Sequence, residues 1–210
     1  MANAGVQLLG FTLAFLGLIG TIASTILVEW KASSHAGDNI ITAQALYEGL
    51  WKTCAWQSTG QIQCKVYDSL LQLPGIVQGT RGLMLVSILL SFISMLVAVV
   101  GMRCTTCMEG QPQQKDKVAL AGGILFILAG LFALVGTSWY GHRVAQDFYS
   151  PFTPTNSRYE FGTALYVGWG SACLCLIGGG FLCCNCSGKS SSGKTMHYTS
   201  AGAAGDRNYV

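Results

Sequence analysis

The chain has 210 residues, of which 51% are hydrophobic and only 10% charged, with a formal net charge of +3. A soluble domain carries roughly a quarter of its residues as charges, so this composition excludes an ordinary globular protein and points to lipid. No nucleic-acid partner is expected of it.

A helix needs about 20 apolar residues to cross the hydrocarbon core. Four windows without Lys, Arg, Asp or Glu meet that need: 6–28, 82–102, 118–141 and 161–188, the last losing its apolar character near Cys184. The first is read as a retained helix and not as a cleaved signal, because Met1 to Gln7 holds no basic residue and the apolar run outlasts a signal core. Four passes place both termini on one side. The expected division is a cytoplasmic N-terminus 1–7, a first pass 8–28, an extracellular loop 29–81, a second pass 82–102, and a cytoplasmic loop 103–117. A third pass 118–138, a second extracellular loop 139–162, a fourth pass 163–184 and a cytoplasmic tail 185–210 complete it. Lys and Arg divide evenly between the sides, but Arg103, Lys115, Lys117, Lys189, Lys194 and Arg207 crowd into the shorter inner segments, as the positive-inside rule requires.

The first outer loop reads as sheet. Its segments 40–50, 51–56 and 61–67 are rich in β-branched and aromatic residues with few charges. Cys54 and Cys64 are the two cysteines on the outer side, and a pair isolated in an oxidising compartment is expected to bridge. Ser58, Thr59 and Gly60 between them form a turn cluster, so the bond would staple a hairpin, contributing on the order of 2–3 kcal/mol for so short a loop. Asp68 is placed to cap a short helix over 69–73, ended by Pro74-Gly75.

Glycines at 17, 20, 122, 123, 130 and 178–180 would let the membrane helices approach closely. The remaining cysteines gather at the inner membrane border. Cys104 and Cys107 follow the second pass, and Cys183, Cys184 and Cys186 end the fourth, positions typical of reversible S-palmitoylation. A zinc site built from them lacks a nearby His, and no metal or other cofactor is expected. Cys173 and Cys175, in mid-helix, read as small packing residues.

The tail from 187 to 205 is rich in Ser, Gly and Lys and has little to bury, so it is expected to be disordered. The terminal Tyr209 and Val210 offer a carboxylate and an apolar side chain to a PDZ groove by β-augmentation. Gly188 to Thr195 matches the phosphate-loop pattern letter for letter but lacks the strand and helix that make such a loop work. Asn185-Cys186-Ser187 matches a glycosylation sequon on the wrong side of the membrane. His35, His142 and His197 have no partners at catalytic spacing, and nothing nominates a catalyst.

Trp30, Gly49-Leu50-Trp51, Cys54, Cys64 and Arg81 together resemble the claudin signature W…GLW…C…C…R. The resemblance covers residue 1 to about Cys186, and it is strongest to members that begin MAN-x-G and carry YEFG before the last helix. It implies an α-helical integral membrane protein: a left-handed four-helix bundle with a five-stranded antiparallel extracellular sheet. Such proteins polymerise laterally and across the cell gap into tight-junction strands that seal the paracellular space. Trp30 and the Gly49-Leu50-Trp51 segment would anchor the sheet at the membrane interface, and a place in the sheet core is compatible with that role.

The resemblance further implies that Leu70 inserts into a neighbour's pocket formed by Phe148, Tyr149 and Phe161. Lys65 and Gln57 stand where cation-conducting relatives have acids, so a barrier that excludes cations more than anions is expected. Further copies of itself and other claudins in cis and trans, PDZ scaffolds of the zonula occludens type and membrane lipid are the implied partners. Asn208 stands where an acid is common, which bears on scaffold affinity. The second loop lacks the Asn of the clostridial enterotoxin motif, so toxin binding should be weak or absent. Peripheral myelin and calcium-channel γ proteins share the Trp, GLW and cysteine pattern, so a regulatory tetraspan subunit is the second reading. Three departures stand out: Glu29 follows Leu27-Val28 with no Pro, Leu18 replaces a Trp, and Gly79 and Gly82 replace alanines.

Overall fold

A computed structural model describes residues 4–33, 45–57, 59–69, 73–101, 112–151 and 158–187. In chain order the elements are α1 (Ala4–Ile26), β1 (Lys31–Ser33), β2 (Ala45–Glu48), β3 (Lys52–Trp56), β4 (Ile62–Val66), α2 (Gly75–Gly101), α3 (Pro112–Tyr149), β5 (Tyr159–Phe161) and α4 (Thr163–Ser187). All four helices are long and apolar enough to cross a membrane. Their outward faces remain apolar, with Leu16, Leu89, Leu96, Val135 and Ile177 all exposed, as lipid requires.

The helices pack as a ring in which α1 lies against α4, α4 against α3 and α3 against α2, with fewer contacts closing α1 on α2. Lipid gives apolar helices no hydrophobic reason to associate, so close backbone approach and interhelical hydrogen bonds must do it. Both are present. A Cβ on Gly178 would lie 2.6 Å from the Gly10 carbonyl oxygen, and one on Gly179 would lie 2.7 Å from that of Gly123. Gly17, Gly20, Gly122 and Gly130 are likewise pressed against neighbours, whereas Gly180 faces open space. Buried hydroxyls bridge the helices: Ser24 donates to the Ala164 carbonyl at 2.7 Å, Ser87 to the Ala129 carbonyl at 2.7 Å, and Thr21 to Ser171 Oγ at 3.2 Å.

Beyond the outer ends of the helices sits one antiparallel sheet of order β4-β3-β2-β1-β5. Its fifth strand comes from the segment between α3 and α4, so the two outer loops share one sheet. The sheet and bundle also share a core, in which Trp30 and Leu50 join Val77, Met84, Tyr140, Val144 and Leu165. A smaller core of Ala14, Ala98, Phe126 and Leu182 lies toward the other end.

The helices outrun the charge-free windows. At about 1.5 Å per residue, the 38 residues of α3 reach almost twice the hydrocarbon thickness. No breaker interrupts it before Pro151, and its outer turns gain a packing partner in β5. Residues 139–149, expected at the start of a loop, are therefore helical, as are residues 75–81 ahead of the second window. The short helix expected over 69–73 falls largely on 70–72, outside the described residues.

Gly162 is the tightest point of the fold: its amide donates to the Trp30 carbonyl at 3.1 Å, and a side chain there would overlap the Glu29 carbonyl. Gly162→Ala should therefore destabilise the protein by at least about 1–3 kcal/mol through overpacking. A lower melting temperature of the purified protein in detergent is the expected result, and an unchanged one would contradict the placement of β5.

Candidate functional site: the sheet–bundle joint and the outer aromatic pocket

The signature residues meet at the joint between sheet and bundle. A helix leaves its last carbonyls without intrahelical partners. In α1 those of Ser24 and Thr25 accept the indole N–H groups of Trp30 at 2.9 Å and Trp51 at 3.0 Å. Trp30 is fully buried, with the Tyr140 ring edge-on at 5.1 Å, so its place is in the core, whereas Trp51 is partly exposed. Gly49 lets the strand pass over the α1 exit, because a Cβ there would lie 2.7 Å from Val28 Cα. Arg81, on the first turns of α2, is 5% exposed. Its Nε donates to the Leu50 carbonyl at 2.6 Å, and its guanidinium lies 4.9 Å from the Trp51 ring centroid and 5.5 Å from that of Tyr67.

Two of the departures from the family pattern, Glu29 and Gly79, have local explanations. Where relatives have Pro near position 28, Glu29 accepts a hydrogen bond from Thr163 Oγ1 at the start of α4, and its backbone carbonyl accepts from the Ala164 amide at 3.0 Å. The α1 exit is thus held by the start of α4, where an acidic side chain also suits the helix dipole. Gly79 lies under the Trp139 ring, which a Cβ would meet at 2.8 Å, whereas Gly82 faces open space and nothing in the structure explains it.

Cys54 and Cys64 are opposed across β3 and β4 and are disulfide-bonded. The hairpin turns through Gly60 at φ 80°, a conformation that suits glycine, with Gln57 accepting from the Gly60 amide at 2.9 Å.

Register places Phe161, Lys31, Glu48, Thr53 and Lys65 in one row across the sheet. Its charges are paired. Lys31 contacts Glu48 at 2.7 Å and lies over the Tyr159 ring at 4.4 Å. Burial and the nearby Glu48 carboxylate push the Tyr159 phenol up to about 12, so it remains a neutral donor to Glu48. Lys65 contacts Asp68 at 2.8 Å with both side chains exposed, and that hydrogen bond and charge raise the Lys65 ammonium above its ordinary range. The helix that Asp68 is expected to cap lies largely outside the described residues, and among those described Asp68 is engaged by Lys65.

Phe148, Tyr149 and Phe161 do come together. With Val144, Ala145, Tyr159, Glu160 and Tyr166 they line an open cavity of about 240 Å³ where α3, β5 and α4 meet. Leu70 lies outside the described residues, as do Cys104, Cys107, Tyr209 and Val210. Cys184 is exposed near the C-terminal end of α4 and Cys183 is half-buried, while the side chain of Cys186 is not among those described. Among the described residues no cluster of three or more His, Cys, Asp or Glu could hold a metal.

Residues 4–182 match the family described as PMP-22/EMP/MP20/Claudin. The chain is 58% identical to claudin-1 of Rattus norvegicus over 91% of both chains. It is 55% identical to claudin-7 of Mus musculus over 91% of this chain and 90% of that one. Against claudin-19 of Homo sapiens it is 60% identical over 89% of this chain and 83% of that one. This chain belongs to the claudin family. Within the broader grouping, that identity places it with the claudins and not with the myelin-type tetraspans, and the joint is the physical content of the claudin signature. Sequence alone left out Tyr67, Tyr140 and Thr163, whose roles depend on contacts between distant segments.

Removing the Arg81 guanidinium would leave the Leu50 carbonyl unpaired in a buried setting and strip the cation from two rings. Arg81→Ala should cost about 1.5–3 kcal/mol, with Arg81→Lys recovering only part because an ammonium cannot reproduce the planar contact. Thermal unfolding in detergent would measure both. Equal stability of all three proteins would remove Arg81 from the joint.

Proposed function

We propose that this claudin polymerises into tight-junction strands that seal the space between neighbouring cells, by lateral association and by contact across the gap. The observation that carries this reading is the open aromatic pocket lined by Phe148, Tyr149 and Phe161. Leu70 of the next copy is the proposed guest. Burying a leucine side chain there contributes roughly 1–3 kcal/mol per contact, modest singly but repeated along a strand.

The strand acts as a barrier that excludes cations more than anions. Lys65 and the neutral Gln57 lie on the hairpin where an acidic residue would attract cations, and like charge along a narrow gap repels like ions. The outer loop from 29 to 81 carries four acidic and four basic residues, which argues against a strong cation pore. Both termini lie in the cytoplasm. There Tyr209 and Val210 dock PDZ scaffolds of the zonula occludens type, and acyl chains on Cys104, Cys107, Cys183, Cys184 and Cys186 tie the inner border to lipid. Clostridial enterotoxin binds weakly or not at all.

Expression in cells that lack strands tests the reading. Freeze-fracture images should show continuous strands and transepithelial resistance should rise. Leu70→Ala should reach the surface normally and form few strands, and unchanged strands would refute the pocket assignment. Dilution potentials should report chloride passing more readily than sodium, with Lys65→Asp shifting the preference toward sodium severalfold. A wild-type preference for sodium would reverse the selectivity reading.

A further inference from the structure

The cavity between α3, β5 and α4 is more than an apolar socket. Aromatic side chains dominate its lining, from Phe148, Tyr149, Tyr159, Phe161 and Tyr166, and Glu160 is the one charged residue among those that line it. Aromatic rings carry negative π faces, so rings gathered around a carboxylate suit a cation. The Glu160 charge acts across the cavity in addition to its other contacts. Two of these rings already draw cations from outside the lining: Lys31 Nζ lies 4.4 Å from the Tyr159 centroid and the Arg158 guanidinium 5.6 Å from that of Phe148. A primary ammonium placed inside would need acceptors for three N–H groups. A quaternary ammonium needs none and is held by rings and charge alone, and the open volume of about 240 Å³ has room for one.

Its depth selects the source of that cation. The apolar span of α4 runs from Thr163 to Cys184, 22 residues, or about 33 Å at the α-helical rise, which matches the hydrocarbon thickness. Tyr166, on the first turn of that span, therefore sits at the edge of the hydrocarbon, and the cavity on its sheet side lies among headgroups. Tyr166 and Phe161 each meet the Trp169 ring edge-on, at 5.7 and 6.0 Å, an aromatic group of the kind that marks a membrane interface. Away from the sheet, one face of α4 is open to lipid. Tyr166, Gly170, Cys173 and Ile177 follow the i, i+4, i+7, i+11 spacing of a single helix face and are all exposed. A Cβ on Gly170 would meet nothing within 4 Å, so the missing side chain leaves a shallow track beneath the rings along which an acyl chain can lie.

We propose that this cavity binds the quaternary ammonium of a choline phospholipid from the leaflet on the sheet side, with the rings around the trimethylammonium group, Glu160 supplying the opposing charge and an acyl chain along the Tyr166 face of α4. The site is complete in a single copy, so the binding itself goes beyond strand assembly. Its consequence rests on the assembly reading above: headgroup and neighbouring copy compete for one cavity, and a lipid must leave before a neighbour enters. Ethanolamine lipids are poor substitutes, because their primary ammonium gives up hydrogen bonds to water that the rings do not replace.

Native mass spectrometry of the full-length protein in detergent tests the site. The protein is incubated with equal amounts of phosphatidylcholine, phosphatidylethanolamine and phosphatidylglycerol of identical acyl chains. The expected result is severalfold more bound phosphatidylcholine than either other lipid. That preference should be lost in Glu160→Gln and in Tyr166→Leu, both at exposed positions, and kept in Phe92→Leu, which removes an exposed aromatic of α2. Should a cavity variant fail to fold, Tyr149→Leu at an 82% exposed position takes its place. Equal retention of all the lipids by the wild-type chain overturns the proposal, as does a preference that survives the cavity variants or falls equally in Phe92→Leu. Millimolar phosphocholine should leave most of the lipid bound, and displacement at micromolar concentration would make the ligand a soluble choline compound and overturn the lipid assignment. Strands play no part in this measurement. Normal strands from Leu70→Ala would therefore sink the assembly reading and leave the lipid site standing, whereas equal lipid retention would do the reverse.

Discussion

The fold depends on how the polar end of α1 is closed. A membrane helix that ends beneath an extracellular sheet presents carbonyls that neither lipid nor the sheet's own ladder can satisfy. Here two indole N–H groups, from Trp30 and Trp51, take up the carbonyls of Ser24 and Thr25. Each tryptophan thereby joins the sheet to the bundle by a hydrogen bond at one end and by ring packing at the other. Arg81 completes the closure from α2 by holding the Leu50 carbonyl between those two tryptophans in sequence. The signature residues are spread over fifty positions because α1, the sheet and α2 must each contribute to one joint.

A rigid joint explains why so small a sheet can be ordered. Its strands are three to five residues long, and β4 is exposed throughout, so the sheet's own apolar burial is slight. Support comes from three added constraints. The disulfide ties β4 to β3, the Lys31, Glu48 and Tyr159 network ties β2, β1 and β5 together, and the outer turns of α3 pack against β5. The long outer reach of α3 thus belongs to the extracellular domain as much as to the bundle.

Much of this was legible in sequence. The four passes follow from charge-free length alone, and the stapled hairpin follows from two outer cysteines flanking a turn. The glycines of α1, α3 and α4 reported close approach correctly, except Gly180, because a glycine signals space without saying on which side of the helix it is needed. What periodicity could not reveal is the union of distant segments. Tyr159 to Phe161 is too short to declare itself a strand, and it becomes one only because β1 offers an edge. Glu29 reads as a lost helix stop until the start of α4 is beside it. Asp68 also has a partner that local capping rules do not suggest, Lys65 behind it on β4.

The electrostatic character of the outer face follows from pairing more than from composition. Across the sheet's transverse row, Lys31 is neutralised by Glu48 and Lys65 by Asp68. The Arg81 charge is turned inward onto a carbonyl and two aromatic faces. A surface whose charges are matched within a few ångströms projects little field beyond the screening length of physiological salt. The two pairs differ in one respect: Lys31 and Glu48 are three-quarters buried and both engage Tyr159, whereas Lys65 and Asp68 are exposed. Breaking the first pair would loosen the sheet between β1 and β2, whereas breaking the second would not.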